Sequence, residues 1–95
     1  MSDIFTLARA YLAAPQPHDL TIRQLAVMQV ICDGDRVHKV HELAKALGVQ
    51  KPIITRAATK LCALGLAERR RGVDDRRDMF IVPTLEGRTW RLKVG

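Results

Sequence analysis

VHELAKALGVQKPIITRAATKL, residues 40–61, is the stretch whose spacing decides how this chain folds. Val40, Leu43, Ala44 and Leu47 recur on one helical stripe, and Gly48 follows where a helix must stop and the chain must turn tightly. A second helix opens at Gln50-Lys51-Pro52, because proline is tolerated in a first turn where its missing N–H is not needed. Ile54, Ala57, Ala58, Leu61 and Leu64 form its inner face, and Gly65 terminates it. Ala44 is small where two closely crossing helices would touch, and Ile54 returns an apolar side chain to the crossing among Leu43, Leu47, Val49, Ala57 and Leu61. The set predicts a helix-turn-helix over about 40–64, although the same packing would also serve a plain helical hairpin.

The opposite face of the second helix separates these alternatives. With roughly 100° per residue and Ile54 inward, Pro52, Thr55, Arg56, Thr59 and Lys60 fall on the outward side, and Gln50 and Lys51 project from the N-terminus. Arginine can pair with guanine O6 and N7, glutamine with adenine N6 and N7, and threonine can use its hydroxyl or its methyl, while the helix N-terminus favours a phosphate. The side chains therefore suit a major-groove reader; an ordinary solvated helix face is the plain alternative.

Beyond Gly65 the period changes. Residues 66–70 and 79–82 are short strand candidates around the charge-rich connection 71–78, which together read as a β-hairpin with a long loop over about 66–82. Arg76 and Arg77 lie near its tip beside Asp74, Asp75 and Asp78, an odd mixture for a loop meant to meet phosphate. A carboxylate such as Asp75 can hold an arginine such as Arg77 extended, so that its guanidinium enters the narrow minor groove, where negative potential is concentrated. A self-neutralised loop is the alternative. Pro83 is expected to stop the second strand, and Thr84 to cap a last helix with Leu85, Trp90, Leu92 and Val94 despite Gly87.

Upstream, Ser2 or Asp3 can cap a helix in which Ile4, Leu7, Ala8, Tyr11 and Leu12 keep helical spacing, and Pro15-Gln16-Pro17 ends it. Its stripe can cover its own core or pair two subunits. Thr21, with Gln24 at the capping-box position, starts a second helix with Leu25, Met28, Val30, Ile31 and Cys32 on a broad apolar face, closed by Asp33-Gly34-Asp35. Residues 37–40 are too short to assign. The expected fold is mainly α with a small β-hairpin, a winged helix-turn-helix of order α-α-α-α-β-β-α, in one domain spanning 1–95.

Ninety-five residues, 47% of them hydrophobic, suffice for one core and not for two. No apolar run approaches the roughly 20 residues that cross a bilayer and no signal-peptide order opens the chain, so no membrane role and a cytoplasmic location are expected. Charge is unevenly placed. Residues 1–35 carry Arg9 and Arg23 against Asp3, Asp19, Asp33 and Asp35, whereas residues 36–95 hold fourteen Lys/Arg against six Asp/Glu. A basic section of that kind suits a polyanionic partner, since neutralising phosphates releases condensed counterions. Cys32 and Cys62 read as reduced core thiols rather than a disulfide. His38 and His41 form no defensible metal-ligand spacing with them, so neither metal nor cofactor is expected. No phosphate loop, nucleophile elbow or pocketed carboxylate pair is present, which argues against an enzyme.

Residues 40–56, then Leu61, Gly65-Leu66 and Arg69, resemble the helix-turn-helix of the MarR family of bacterial winged-helix regulators. Asp75-Arg76-Arg77, followed at matching distance by Thr84 and Gly87, is similar to that family's wing signature, and the likeness covers roughly residues 21–90. The resemblance implies a transcriptional regulator of double-stranded DNA, with Gln50, Lys51, Pro52, Thr55 and Arg56 at the major groove. Asp75 and Arg77 would be its wing pair, Arg77 reading the minor groove. Lys60 and Arg76 join these as candidate DNA contacts. Members of that family usually continue into long C-terminal helices that build a dimer and an effector pocket. The present sequence reads as a short form without them, so no small-molecule effector is expected and a homodimer is left open. The rival expectation is a winged-helix interaction module, an antirepressor or adaptor with little DNA binding of its own.

Overall fold

The computed structural model describes residues 3–13, 18–34 and 36–94. In chain order they form α1 (Ile4–Ala13), α2 (Ile22–Cys32), β1 (His38–Lys39), α3 (Val40–Leu47), α4 (Lys51–Ala63), β2 (Ala67–Arg71), β3 (Met79–Pro83) and α5 (Leu85–Val94). The order is the expected one with a single addition. The two-residue β1 extends the hairpin into a three-stranded antiparallel sheet of order β1-β3-β2. His38 sits opposite Ile81 and Lys39 opposite Phe80, while Ala67 through Arg71 run against Pro83 through Met79. A strand of two residues has no period to read; its pairing with β3 alone defines it. Pro83 is itself the last paired residue of β3, so it ends the strand from within rather than from the next position.

Local chemistry explains most of the boundaries. Asp3 accepts a hydrogen bond from the Thr6 N–H at 2.8 Å and so caps α1; Ser2, Pro15, Gln16, Pro17 and Asp35 lie outside the described residues. Thr21 and Gln24 make the expected reciprocal capping box on α2, with bonds of 3.2 and 2.9 Å. Gly48 closes α3 at φ 68°, the left-handed conformation that a Cβ disfavours. Thr84 joins two elements: its hydroxyl donates to the Gly65 carbonyl at 2.6 Å and accepts from the Gly87 N–H at 3.0 Å, capping α5 while tying it to the turn after α4.

One core forms between the helices and the sheet. Val27, Met28, Leu43, Ile54, Leu61, Leu66 and Ile81 are its fully buried large side chains. Met28 and its neighbours on α2 meet α4 and β3, which is why the broad apolar face of α2 is needed. Trp90 of α5 and Tyr11 of α1 meet edge to face with centroids 6.1 Å apart. Gly87 is buried against the Leu66 backbone, and a Cβ there would overlap the Leu66 carbonyl.

The apolar stripes of the outer helices are less buried than their spacing suggests. Ile4 and Leu12 of α1 are 57% and 73% exposed, and Leu85 and Leu92 of α5 are both 83% exposed, whereas Tyr11 and Trp90 are buried. Together with α2 they border an apolar groove of about 530 Å³, lined by Tyr11, Leu12, Ile22, Leu25 and Trp90 among others. Cys32 and Cys62 are free thiols packed half-buried at the edge of the core rather than within it. Burial pushes the Cys32 thiol up, against the lowering influence of Arg88 and Arg91, which disfavours the reactive thiolate. No described helix is long and apolar enough to cross a membrane.

Candidate nucleic-acid interface

Two helices and a turn build one side of the interface. The Val49 N–H donates to the Ala44 carbonyl at 3.0 Å, closing the turn between α3 and α4. Gln50 occupies the N-cap position of α4 without a side-chain capping bond, and Pro52 sits in the first turn. Ile54, Ala57, Ala58 and Leu61 are at most 4% exposed, so the apolar face of α4 is fully engaged with the core. Gln50, Lys51, Pro52, Thr55, Arg56, Thr59 and Lys60 are all exposed. The helical period thus presents a continuous polar edge with three cations, Lys51, Arg56 and Lys60, none of which faces inward.

The hairpin supplies the other side. Its loop is closed by the Gly72 N–H donating to the Asp78 carbonyl at 3.0 Å and by the Asp78 N–H donating to the Asp75 carbonyl at 3.1 Å. Asp75 grips Arg77 three times: its Oδ1 accepts from the Arg77 backbone N–H at 2.9 Å and from Nε at 3.2 Å, and its Oδ2 from a terminal guanidinium nitrogen at 3.1 Å. This fork fixes the arginine's direction while the side chain stays 91% exposed. The Arg77 side chain, and then its N–H, hold the Asp75 carboxyl below the usual aspartate value, with Lys39 adding a smaller pull. Arg76 is exposed, and its carbonyl accepts from the Arg71 guanidinium at 3.1 Å.

Four residues absent from the candidate set, Arg69 with Thr59 and Lys39 with Asp78, fasten the hairpin to its neighbours. Arg69 on β2 reaches α4, donating to the Thr59 hydroxyl at 2.6 Å and to the Thr55 carbonyl at 3.4 Å. Strand alternation could have found it, because Arg69 lies two residues from buried Ala67 and shares its face. Lys39 pairs with Asp78 at 3.1 Å, linking β1 to the start of β3. That contact carries no sequence signal, since it depends on the register of a strand too short to read. Among the described residues, no group of three or more His, Cys, Asp or Glu side chains stands close enough to hold a metal ion.

The sequence model of the MarR family matches residues 18–78, from the approach to α2 through the wing loop. The chain belongs to the MarR family. Solved structures agree with that placement. The transcriptional regulator Tm0710 of Thermotoga maritima is 32% identical over 78% of this chain and 51% of its own, with a TM-score of 0.71. A MarR family transcriptional regulator from Rhodococcus sp. RHA1 is 24% identical over 93% and 59%, with a TM-score of 0.78. Reduced AbfR bound to DNA is 20% identical over 79% and 54%, with a TM-score of 0.72. The latter two share the fold. The chain spans about half the length of several solved structures it matches. No curated protein matches it. As a MarR chain it presents the family's winged helix, with α3 and α4 as the helix-turn-helix and the β2–β3 hairpin as the wing.

Proposed function

We propose that this chain is a sequence-specific regulator of transcription that binds double-stranded DNA, with α4 in the major groove and Arg77 of the wing in the adjacent minor groove. The observation that carries the reading is the bond from Arg69 to Thr59, which fastens the wing's first strand to the outward edge of α4. Recognition helix and wing then act as one surface. On it, Gln50, Thr55 and Arg56 have the donors and acceptors that read base edges, whereas Lys51, Lys60 and Arg76 suit phosphates. Pro52 starts the helix, and Asp75 orients Arg77. That AbfR has been seen on DNA with this fold supports the reading.

Binding to duplexes selected from a random pool, followed across a salt series, tests it. Each phosphate neutralised adds about −0.9 to the slope of log affinity against log salt, so several contacts give a steep loss. A flat dependence, or no enrichment of any duplex, would leave the second reading, a winged-helix interaction module. The apolar groove between α1, α2 and α5 favours that second reading because it offers a protein-binding surface away from the basic edge. Symmetry in the selected sequences reports assembly, since a dimer implies half-sites about one helical turn apart.

A further inference from the structure

Besides backbone pairing, two side-chain contacts described above tie the wing to the rest of the domain, Arg69 to Thr59 and Lys39 to Asp78, and the one at Lys39 is farther from α4 in the chain. Lys39 ends β1 and directly precedes α3, where its backbone N–H donates to Glu42 at 2.9 Å. Its ammonium lies 3.1 Å from Asp78 Oδ2 and 5.9 Å from the centre of the Phe80 ring. The Lys39 and Asp78 side chains are 33% and 31% exposed, so this pair is far better shielded from water than Arg77 at 91%. Asp78 is also the residue at which the wing loop closes, through its N–H to Asp75 and its carbonyl to Gly72. Asp75 in turn holds Arg77. A continuous path of contacts therefore runs from the start of the helix-turn-helix to the exposed arginine.

We propose that Lys39 is a positioning residue for the wing: by holding Asp78 it sets the direction of Arg77 relative to α4, and so the spacing between the base pairs read in the major groove and the segment sensed in the minor groove. The inference rests on the DNA-binding reading above. An ammonium committed to a carboxylate and to an aromatic face is not a phosphate contact. An arm held in one direction meets one minor-groove segment, whereas a loosened arm samples several and must be ordered on binding.

Lys39→Gln and Asp78→Asn in the full chain test this, using duplexes enriched from a random pool by the wild-type chain. Each variant competes for an enriched duplex against a version whose wing-facing segment is changed from A·T to G·C pairs. Both variants should keep the sequence preference of α4 and lose about two- to fivefold of the discrimination at the wing segment, the range for a partly exposed ion pair. Lys39→Asp combined with Asp78→Lys should recover it. Asp78→Asn removes a negative charge beside a polyanion and so raises affinity for every duplex alike, which makes the ratio between the two duplexes, rather than affinity itself, the deciding quantity. Unchanged discrimination in either variant overturns the proposal. Nitrogen relaxation of the Arg77 Nε–H group in the free protein gives a readout without DNA: greater mobility in both variants supports the latch, and equal mobility overturns it. A wild-type chain that enriches no duplex sinks the DNA-binding reading along with the inference, whereas failure confined to the variants sinks the latch alone.

Discussion

The guanidinium of Arg69 lies 2.6 Å from the hydroxyl of Thr59, joining an edge strand to the exposed side of the helix that precedes it in the chain. The Thr59 hydroxyl accepts this bond and donates its own proton to the Thr55 carbonyl at 2.9 Å, so the threonine is satisfied in both directions. Thr59→Val keeps the shape and removes the acceptor. Because the site is exposed, thermal melting should show a loss of only a few tenths to about 1 kcal/mol. DNA affinity should fall more than stability does, and a loss of stability without any loss of affinity would contradict the coupling of wing and helix.

Arg56 and Lys60 are both exposed on α4, yet they are expected to behave differently. Arg56→Ala should cost about 1–3 kcal/mol of binding and relax preference at one position, as removal of a base contact does. Lys60→Ala should weaken binding uniformly across sequences and make the salt slope shallower by about 1. Anisotropy titrations on matched and mismatched duplexes separate the two; equal losses on random DNA would count against Arg56 as a reader of bases.

The Asp75 carboxyl titrates below the ordinary aspartate value of 3.8 because it is bonded to Arg77. A lowered folded-state value means that the contribution of the pair is present above the unfolded value and is lost as pH falls through the folded one. The ordered pose of Arg77 should therefore persist through neutral and mildly acidic solution and be released only below pH 3.8. Carbon-13 shifts of the Asp75 carboxyl together with the Arg77 Nε–H resonance check this, and a shared midpoint at or above 3.8 would contradict the pairing.

Gly87→Ala would place a methyl group against the Leu66 carbonyl, and backbone on both sides leaves nothing flexible to yield. Overpacking of this kind costs about 1–3 kcal/mol, so the midpoint of urea denaturation should drop with little change in its slope. An unchanged midpoint would mean that α5 is not held as closely to the Leu66 backbone as described.

Tyr11 donates to the His18 carbonyl at 2.9 Å and accepts from the Leu20 N–H at 3.0 Å. Tyr11→Phe leaves that buried N–H without its acceptor, at about 1–3 kcal/mol. Hydrogen exchange at Leu20 should speed up in step with the fall in melting temperature; exchange unchanged from wild type would show that another acceptor takes over.

The elements legible in the sequence are those whose signal is local. Ile54, Ala57, Ala58 and Leu61 mark the inner face of α4 through helical periodicity alone, and Thr21 with Gln24 marks the start of α2 through a bond between near neighbours. The Asp75–Arg77 grip spans two residues and was equally readable. The contacts that hold the parts together were not. Arg69 meets Thr59 across the α4–β2 turn, and Lys39 meets Asp78 only once β1 pairs with β3. The cover of the α1 stripe stayed open for a related reason: spacing marks which side chains share a face, and exposed Ile4 and Leu12 beside buried Tyr11 show that sharing a face does not decide what covers it.

Strand order has one more consequence. β2 lies at the border of the sheet, and Glu68, Arg69, Arg70 and Arg71 set four consecutive formal charges along it. Such a border discourages another chain from adding its backbone there, since strand addition would stack like charges at close range. Replacing these arginines together with threonine or valine would also remove the safeguard against cross-strand aggregation. Solubility would then decline for a reason unrelated to any lost ligand.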